Sequence, residues 1–277
     1  MIPLIFSGNP VVSVDIDNYR RLLDSKGGAL GDGSLSEAEA MDRLRAWVTQ
    51  LYAICGRMDF WPLQAAYQVG SGSKCYSFQG LEGTLVNGLG WTSNGLKATN
   101  QDQYVLLPDS YDDIVLGPHW MAAAYKRSLD EYDQTAMFDF SGYDVMLGQY
   151  SLMDDVIWNN RRSFLYTDNS DWGGVAATGP SASDTWNYYI GGFNSDRTGA
   201  YIYQNGTLLA SSSGRTINPT GTIIKRRMLH SWTLDAIGNY GAMMAFGLVG
   251  KGSVDATKAG KISSAYKTTI GKDLGLS

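Results

Sequence analysis

The sequence predicts a mainly β protein: an antiparallel β-sandwich of the jelly-roll kind, with a helical region before it and a short helix after it. Three observations carry this. Between Cys75 and about Gly250 no helical period is sustained, and short β-prone runs are punctuated by Gly, Asn, Asp or Pro at each junction. The composition agrees, because 33 Gly, 17 Tyr and 8 Trp in 277 residues suit many short strands joined by tight turns. At Asn205-Gly206 two apolar runs meet at a pair that tolerates positive φ at both central positions of a type I′ turn.

Asp15 or Asp17 is placed to cap a first short helix through Tyr19, Leu22 and Leu23, which Gly27-Gly28 stops. In the second helix, Ser34 with Glu37 and Ser36 with Glu39 offer competing capping boxes. Met41, Leu44, Val48, Leu51 and Cys55 then recur at three and four, with Trp47 alongside, and Gly56 ends the run. An apolar face of that kind must pack on something. Phe60 to Tyr67 reads as a short turn or helix over the same core. Gly70-Ser-Gly-Ser marks a boundary, so the expected division is a helical lead-in over 1–72 and a β domain over 73–277.

Expected strands lie at Cys75 to Phe78, Gly83 to Val86, Gly95 to Ala98, Gln103 to Leu107, Trp120 to Tyr125 and Ala136 to Phe140. Further ones lie at Val145 to Gln149, Arg162 to Tyr166, Thr185 to Gly191, the two arms of the Asn205-Gly206 hairpin, and Leu229 to Leu234. Tyr201 and Tyr203 share one face of that hairpin and Ile202 takes the other. Gly241 to Gly250 alternates small and large apolar residues, as a strand buried on both faces does. Ser253 then caps a helix from Val254 to about Ile270, with Ala259, Ile262, Tyr266 and Ile270 on one face.

A net charge of −5 sets up no field that draws phosphate, so nucleic acid is not an expected partner. Lys225-Arg226-Arg227 reads as a solvated strand end or loop. Two cysteines, Cys55 and Cys75, leave one disulfide open but make neither a framework nor a zinc spacing. No run approaches ~18 apolar residues, so no membrane partner is expected. Met1-Ile-Pro-Leu-Ile-Phe lacks the basic start of a secretory signal, so the expectation is synthesis in a cytosol.

Few patterns point to chemistry. Gly31 to Glu39 resembles the second half of an EF-hand loop, but Gly28 and Leu30 fall where oxygen ligands are needed, so a turn and helix cap explains it. Asn205-Gly206-Thr207 is a glycosylation sequon that reads better as a turn, and the Gly pairs at 70–72 and 88–90 read as loops. Glycoside hydrolysis needs two facing carboxylates. Glu37, Glu39, Glu82 and Glu131 form no Glu-x-Asp-x-x-Glu strand, and Asp112-Asp113 and Asp154-Asp155 read as turns. His119 and His230 have no accompanying nucleophile motif and read as hydrogen-bonded strand residues. Trp158, Trp172, Trp186, Tyr188, Tyr189 and Phe193, set among Asn, Asp and Gly, are candidates for stacking on sugars or for a protein interface.

Tyr189 to Asn194 (Tyr-Ile-Gly-Gly-Phe-Asn), Ala200 to Leu209 and Met244 to Gly250 before a terminal helix resemble the concanavalin A-like, laminin G-like jelly roll of tailed-bacteriophage structural proteins. The helical lead-in ending near Leu44 to Ala66 and a strand pair over Gly83 to Val105 fit the same group. The resemblance implies a non-enzymatic virion component: a capsid decoration or cement protein, or a head- or tail-associated fibre, made in the host cytoplasm. It implies no cofactor, major capsid or tail and portal subunits as partners, and a homo-oligomeric assembly. Met41, Leu44, Trp47, Val48 and Leu51 are then the expected attachment face. Host surface glycans are the alternative partner, held by the aromatic set above. Calcium-binding relatives use rim-loop carboxylates, a place that Asp168, Asn169 and Asp171 could take, although a solvated turn is the reading preferred for them.

Overall fold

The computed structural model describes residues 10–100, 102–111, 119–126, 134–141, 149–155, 161–167, 174–178, 185–196, 198–213, 225–231 and 241–276. Its strands are β1 (Trp61–Pro62), β2 (Lys74–Tyr76), β3 (Glu82–Val86), β4 (Gly90–Thr92), β5 (Gly95–Lys97), β6 (Tyr104–Leu106), β7 (His119–Lys126) and β8 (Gln134–Ser141). They continue with β9 (Gln149–Asp155), β10 (Arg161–Thr167), β11 (Gly174–Thr178), β12 (Asn187–Phe193), β13 (Gly199–Gln204), β14 (Thr207–Ser213), β15 (Lys225–Ser231) and β16 (Met243–Lys251). Three α-helices accompany them among the described residues: α1 (Pro10–Ser25), α2 (Glu37–Cys55) and α3 (Ala256–Thr268). None of the helices is long and apolar enough to cross a membrane.

The strands form two antiparallel eight-stranded sheets. The first runs β14-β13-β12-β7-β16-β5-β4, with β1 also paired to β16, and the second runs β11-β10-β9-β8-β15-β6-β3-β2. Side chains alternate across a strand, so each strand of the first sheet feeds two cores. On β7, Trp120, Ala122 and Ala124 face the helices, while Met121, Ala123 and Tyr125 face the second sheet. On β12, Tyr188 and Ile190 take the helix side and Tyr189 and Phe193 the other. A register shift between Met244 and Phe246 lets β16 serve both cores: Phe246 and Leu248 face the helices and Met244 and Val249 face the second sheet. The strand at Gly241 to Gly250 is therefore buried on both faces, as its composition predicts.

The molecule has three layers: helices, first sheet and second sheet. The helical layer is continuous with the sandwich. Trp47 meets Phe60, Phe246 and Tyr266 edge-on at centroid distances of 6.0, 5.4 and 5.6 Å. Tyr19 donates to the Tyr67 carbonyl at 2.6 Å, and Gln64 donates to the Ile270 carbonyl at 2.8 Å, tying both ends of the chain to the same core. The expected division at residue 72 is thus not a boundary of the core, and β1 already belongs to the first sheet.

Local readings largely hold. The Ser36–Glu39 box caps α2, while Asp32 accepts from the Ser34 and Leu35 amides in the turn before it. Asn205 and Gly206 have φ of 50° and 85°, giving the expected I′ geometry with Gln204 opposite Thr207. Tyr201 and Tyr203 share the helix-side face and Ile202 the other.

Other readings are corrected. α1 begins at Pro10, whose missing N–H suits a first turn, so Asp15 is an interior residue. It pairs with Arg57 at 2.8 Å. α3 is capped by Asp255, whose carboxylate accepts from the Lys258 amide, and not by Ser253. Asp154-Asp155 ends β9 instead of marking a turn, whereas Lys225 to Arg227 opens β15, in keeping with its reading as a strand end, with Arg226 3.4 Å from Asp109. Trp61-Pro62 is a strand, and β4 and β11 were not expected at all. The reading at 145–148 lies outside the described residues.

Candidate functional site

Those of the residues singled out for recognition that lie among the described residues do not form a surface. Tyr188 stacks on Tyr266 at 4.6 Å, Tyr189 meets Tyr125 at 6.4 Å and Phe193 meets His119 at 5.3 Å, all buried. Trp186 is buried under the Lys126 ammonium, 5.7 Å from its ring. These four pack the two faces of the first sheet, which corrects their assignment to an exposed glycan or partner contact. Trp158 and Trp172, like Asp168, Asn169 and Asp171, lie outside the described residues.

The expected attachment face is likewise internal. Leu44, Trp47, Val48 and Leu51 are each 0% exposed, and Met41 is half-buried against the same cluster. The partner that α2 needs is this chain's own first sheet. A single sequence shows that a face is apolar but not whether the chain itself covers it.

The two histidines sit in strands, as read. On the second sheet, His230 of β15 lies 3.6 Å from the Asp139 carboxylate of β8, and its Nε2 is 3.0 Å from Arg227 Nη1. Arg227 lies over the Tyr104 ring at 4.5 Å, and Tyr104 meets His230 edge-on. An imidazole whose Nε2 accepts from a guanidinium has no lone pair left for a substrate proton, so this group orders three strands rather than doing base chemistry.

A cleft forms where the end of α2, the turn before β3, residues 110–111, the start of β7, the end of β16 and the first turn of α3 converge. Its volume is about 450 Å³, within the range of small-ligand sites. Trp120 borders it from β7. The indole lies flat against Gly250, where a Cβ would come within 2.6 Å of the ring. Its Nε1 is buried and has no hydrogen-bond partner among the described residues.

Positive charge gathers around that indole. Lys258 holds its ammonium 5.8 Å from the Trp120 ring, and Lys251 leaves the end of β16 on the same rim. Arg57 also lines the cleft, although its guanidinium is held bidentately by Asp15 at 2.8 and 2.9 Å.

Asp59 is the carboxylate among the described lining residues. Its Oδ1 accepts from the Phe60 and Gln79 amides at 2.9 and 2.8 Å, while Oδ2 is buried without a partner in hydrogen-bonding geometry. Burial pushes this carboxyl up to about 6, against the opposing pull of the Ser77 hydroxyl and the two amides. Cys55 is no nucleophile at neutral pH, since burial raises its thiol to about 11. The Tyr111 hydroxyl accepts from Trp61 Nε1 at 2.7 Å and is held well above its ordinary pKa by burial. The cleft can bind and orient; it presents one carboxylate and no activated nucleophile among the described residues.

None of the cleft residues carried a sequence motif. One signal was present: a lysine in the first turn of α3 opposes the helix dipole, a local cost with no local return.

No family model matches the chain, and no curated protein matches it. Among solved structures it is similar to a Trypanosoma rangeli sialidase in complex with sialic acid, with TM-score 0.57 and 12% identity over 83% of this chain and 39% of that one. It is also similar to the binding domain of botulinum neurotoxin serotype D, with TM-score 0.53 and 12% identity over 75% of this chain and 51% of that one. A structure of botulinum neurotoxin type C, whose cell entry depends on interaction with two ganglioside molecules, gives TM-score 0.56 and 10% identity over 75% and 51%. The chain spans between two fifths and about half of these neighbours' lengths. At such identity the likeness is one of fold: a mainly β, two-sheet, jelly-roll-like architecture.

Proposed function

We propose that this protein is a non-catalytic binding domain that recognises a glycan. The observation that carries the reading is the cleft beside Trp120: a concave site with an unpartnered indole N–H, polar Gln79 and Ser110 and two lysines, but no facing carboxylate pair among the described residues. Two of the fold neighbours are described with sugar-containing ligands, sialic acid and gangliosides, which supports the same class. A glycan array with the intact chain tests it, together with an assay for released sugar. The expected outcome is retention of a subset of glycans without release. A blank array, or sugar release abolished by changing a single carboxylate, contradicts it.

A second reading, which we propose on the sequence resemblance to tailed-phage structural proteins alone, is that the domain is a virion component among capsid or tail subunits. The buried residues of α2 do not serve as its attachment face. Among the described residues of α1, Val11 and Val14 are 46% and 55% exposed. Mass spectrometry of purified particles is the test: the chain is expected in fixed copy number, and its confinement to infected-cell extract contradicts the reading.

A further inference from the structure

We infer that the Trp120 cleft is specific for an acidic sugar, a uronic or sialic acid residue, with its carboxylate between Lys251 and Lys258. The inference rests on the glycan reading and names the ligand class of the same site. The protein carries a net charge of −5, yet the rim of this cleft brings together Lys251, Lys258 and Arg57. Arg57 is already committed to Asp15, whereas neither lysine forms an ion pair among the described residues. Both ammonium-bearing side chains line the one cleft, so a ligand carboxylate seated there is attracted to two positive charges at once.

The remaining features specify a sugar rather than a bare anion. Trp120 walls the cleft with a fully buried indole whose Nε1 has no acceptor among the described residues, an unpaired donor of the kind that costs about 1–3 kcal/mol. Gln79 and Ser110 add donor and acceptor atoms to the lining, while Met58 and Leu81 give apolar surface for the carbon face of a pyranose. Asp59 is the one lining group that disfavours an anion, and its raised carboxyl pKa weakens that opposition as the solution is acidified.

The test is calorimetry and saturation-transfer NMR on the intact chain at pH 6, using glucuronic acid, N-acetylneuraminic acid, glucose and inorganic phosphate as probes. Glucuronic acid or N-acetylneuraminic acid is expected to bind at least tenfold more tightly than glucose. Lys258→Gln and Lys251→Gln are each expected to lose about tenfold, with Lys258→Arg retaining most of the affinity and all three keeping the parent Tm. Equal binding of glucose, equal binding by the glutamine variants, or displacement by phosphate at the same concentration as by the sugar acids overturns the inference. So does the absence of binding by either acid. Array retention that survives both lysine substitutions sinks this assignment and leaves the glycan reading standing; a blank array together with no binding of either free acid sinks both.

Discussion

At the scale of single residues, the physics is dominated by what is buried with a polar atom. Asp59 titrates higher in the folded chain, at about 6, than its ordinary 3.8. The neutral form therefore contributes stability that is full below pH ~3.8 and lost as pH rises through about 6. Asp59→Asn keeps the acceptor for the Phe60 and Gln79 amides and removes the charge. Relative to the parent, it is expected to gain on the order of 2 kcal/mol between pH 4 and pH 7.5 in urea denaturation; a gap that does not widen with pH refutes the assignment. Gly250 gives a steric counterpart. A methyl there meets three atoms of the Trp120 ring at 2.4–2.6 Å, so Gly250→Ala is expected to cost about 1–3 kcal/mol. Neither effect was legible in the sequence, because the neighbours of Asp59 and Gly250 that matter, Gln79 and Trp120, are distant in the chain.

At the scale of elements, what local rules decide was readable and what long-range pairing decides was not. The α2 cap, the Asn205-Gly206 turn and the double-sided burial of β16 follow from residues within a few positions of one another. The use of α2 did not. Its apolar stripe was read as an attachment face, and the structure covers it with Phe60, Phe246 and Tyr266. Trp47→Ala should accordingly lower stability by about 3–5 kcal/mol, as expected for an aromatic deleted from a core. A surface attachment residue would change the urea midpoint little. The hairpin is more than a connection, since Asn205 accepts from the Tyr188 amide and donates to Asn187 at 2.8 and 3.0 Å. Its turn also lies against Gly260 of α3. Asn205→Ala removes both bonds and a side chain suited to positive φ, for an expected loss of about 1–2 kcal/mol.

At the scale of the whole molecule, helices and sandwich share the first sheet, whose two faces line two cores, so they are expected to unfold together. A chain beginning at residue 73 lacks α1, α2 and β1, exposing the helix-side faces of β7, β12 and β16. It should be insoluble or molten, whereas a true lead-in would leave a folded β domain with the parent near-ultraviolet circular dichroism. The aromatic richness that suggested sugar-binding loops is largely spent on this double core, because a sheet covered on both sides needs large side chains on both sides. The cleft proposed above for recognition is one that only the assembled layers create. The measurement that tests this most directly is a glycan array probed side by side with the parent and with Lys251→Gln/Lys258→Gln. Retention of acidic glycans by the parent and its loss in the double variant is the predicted result. Equal retention by both proteins, or none by the parent, would contradict a binding function seated in this cleft.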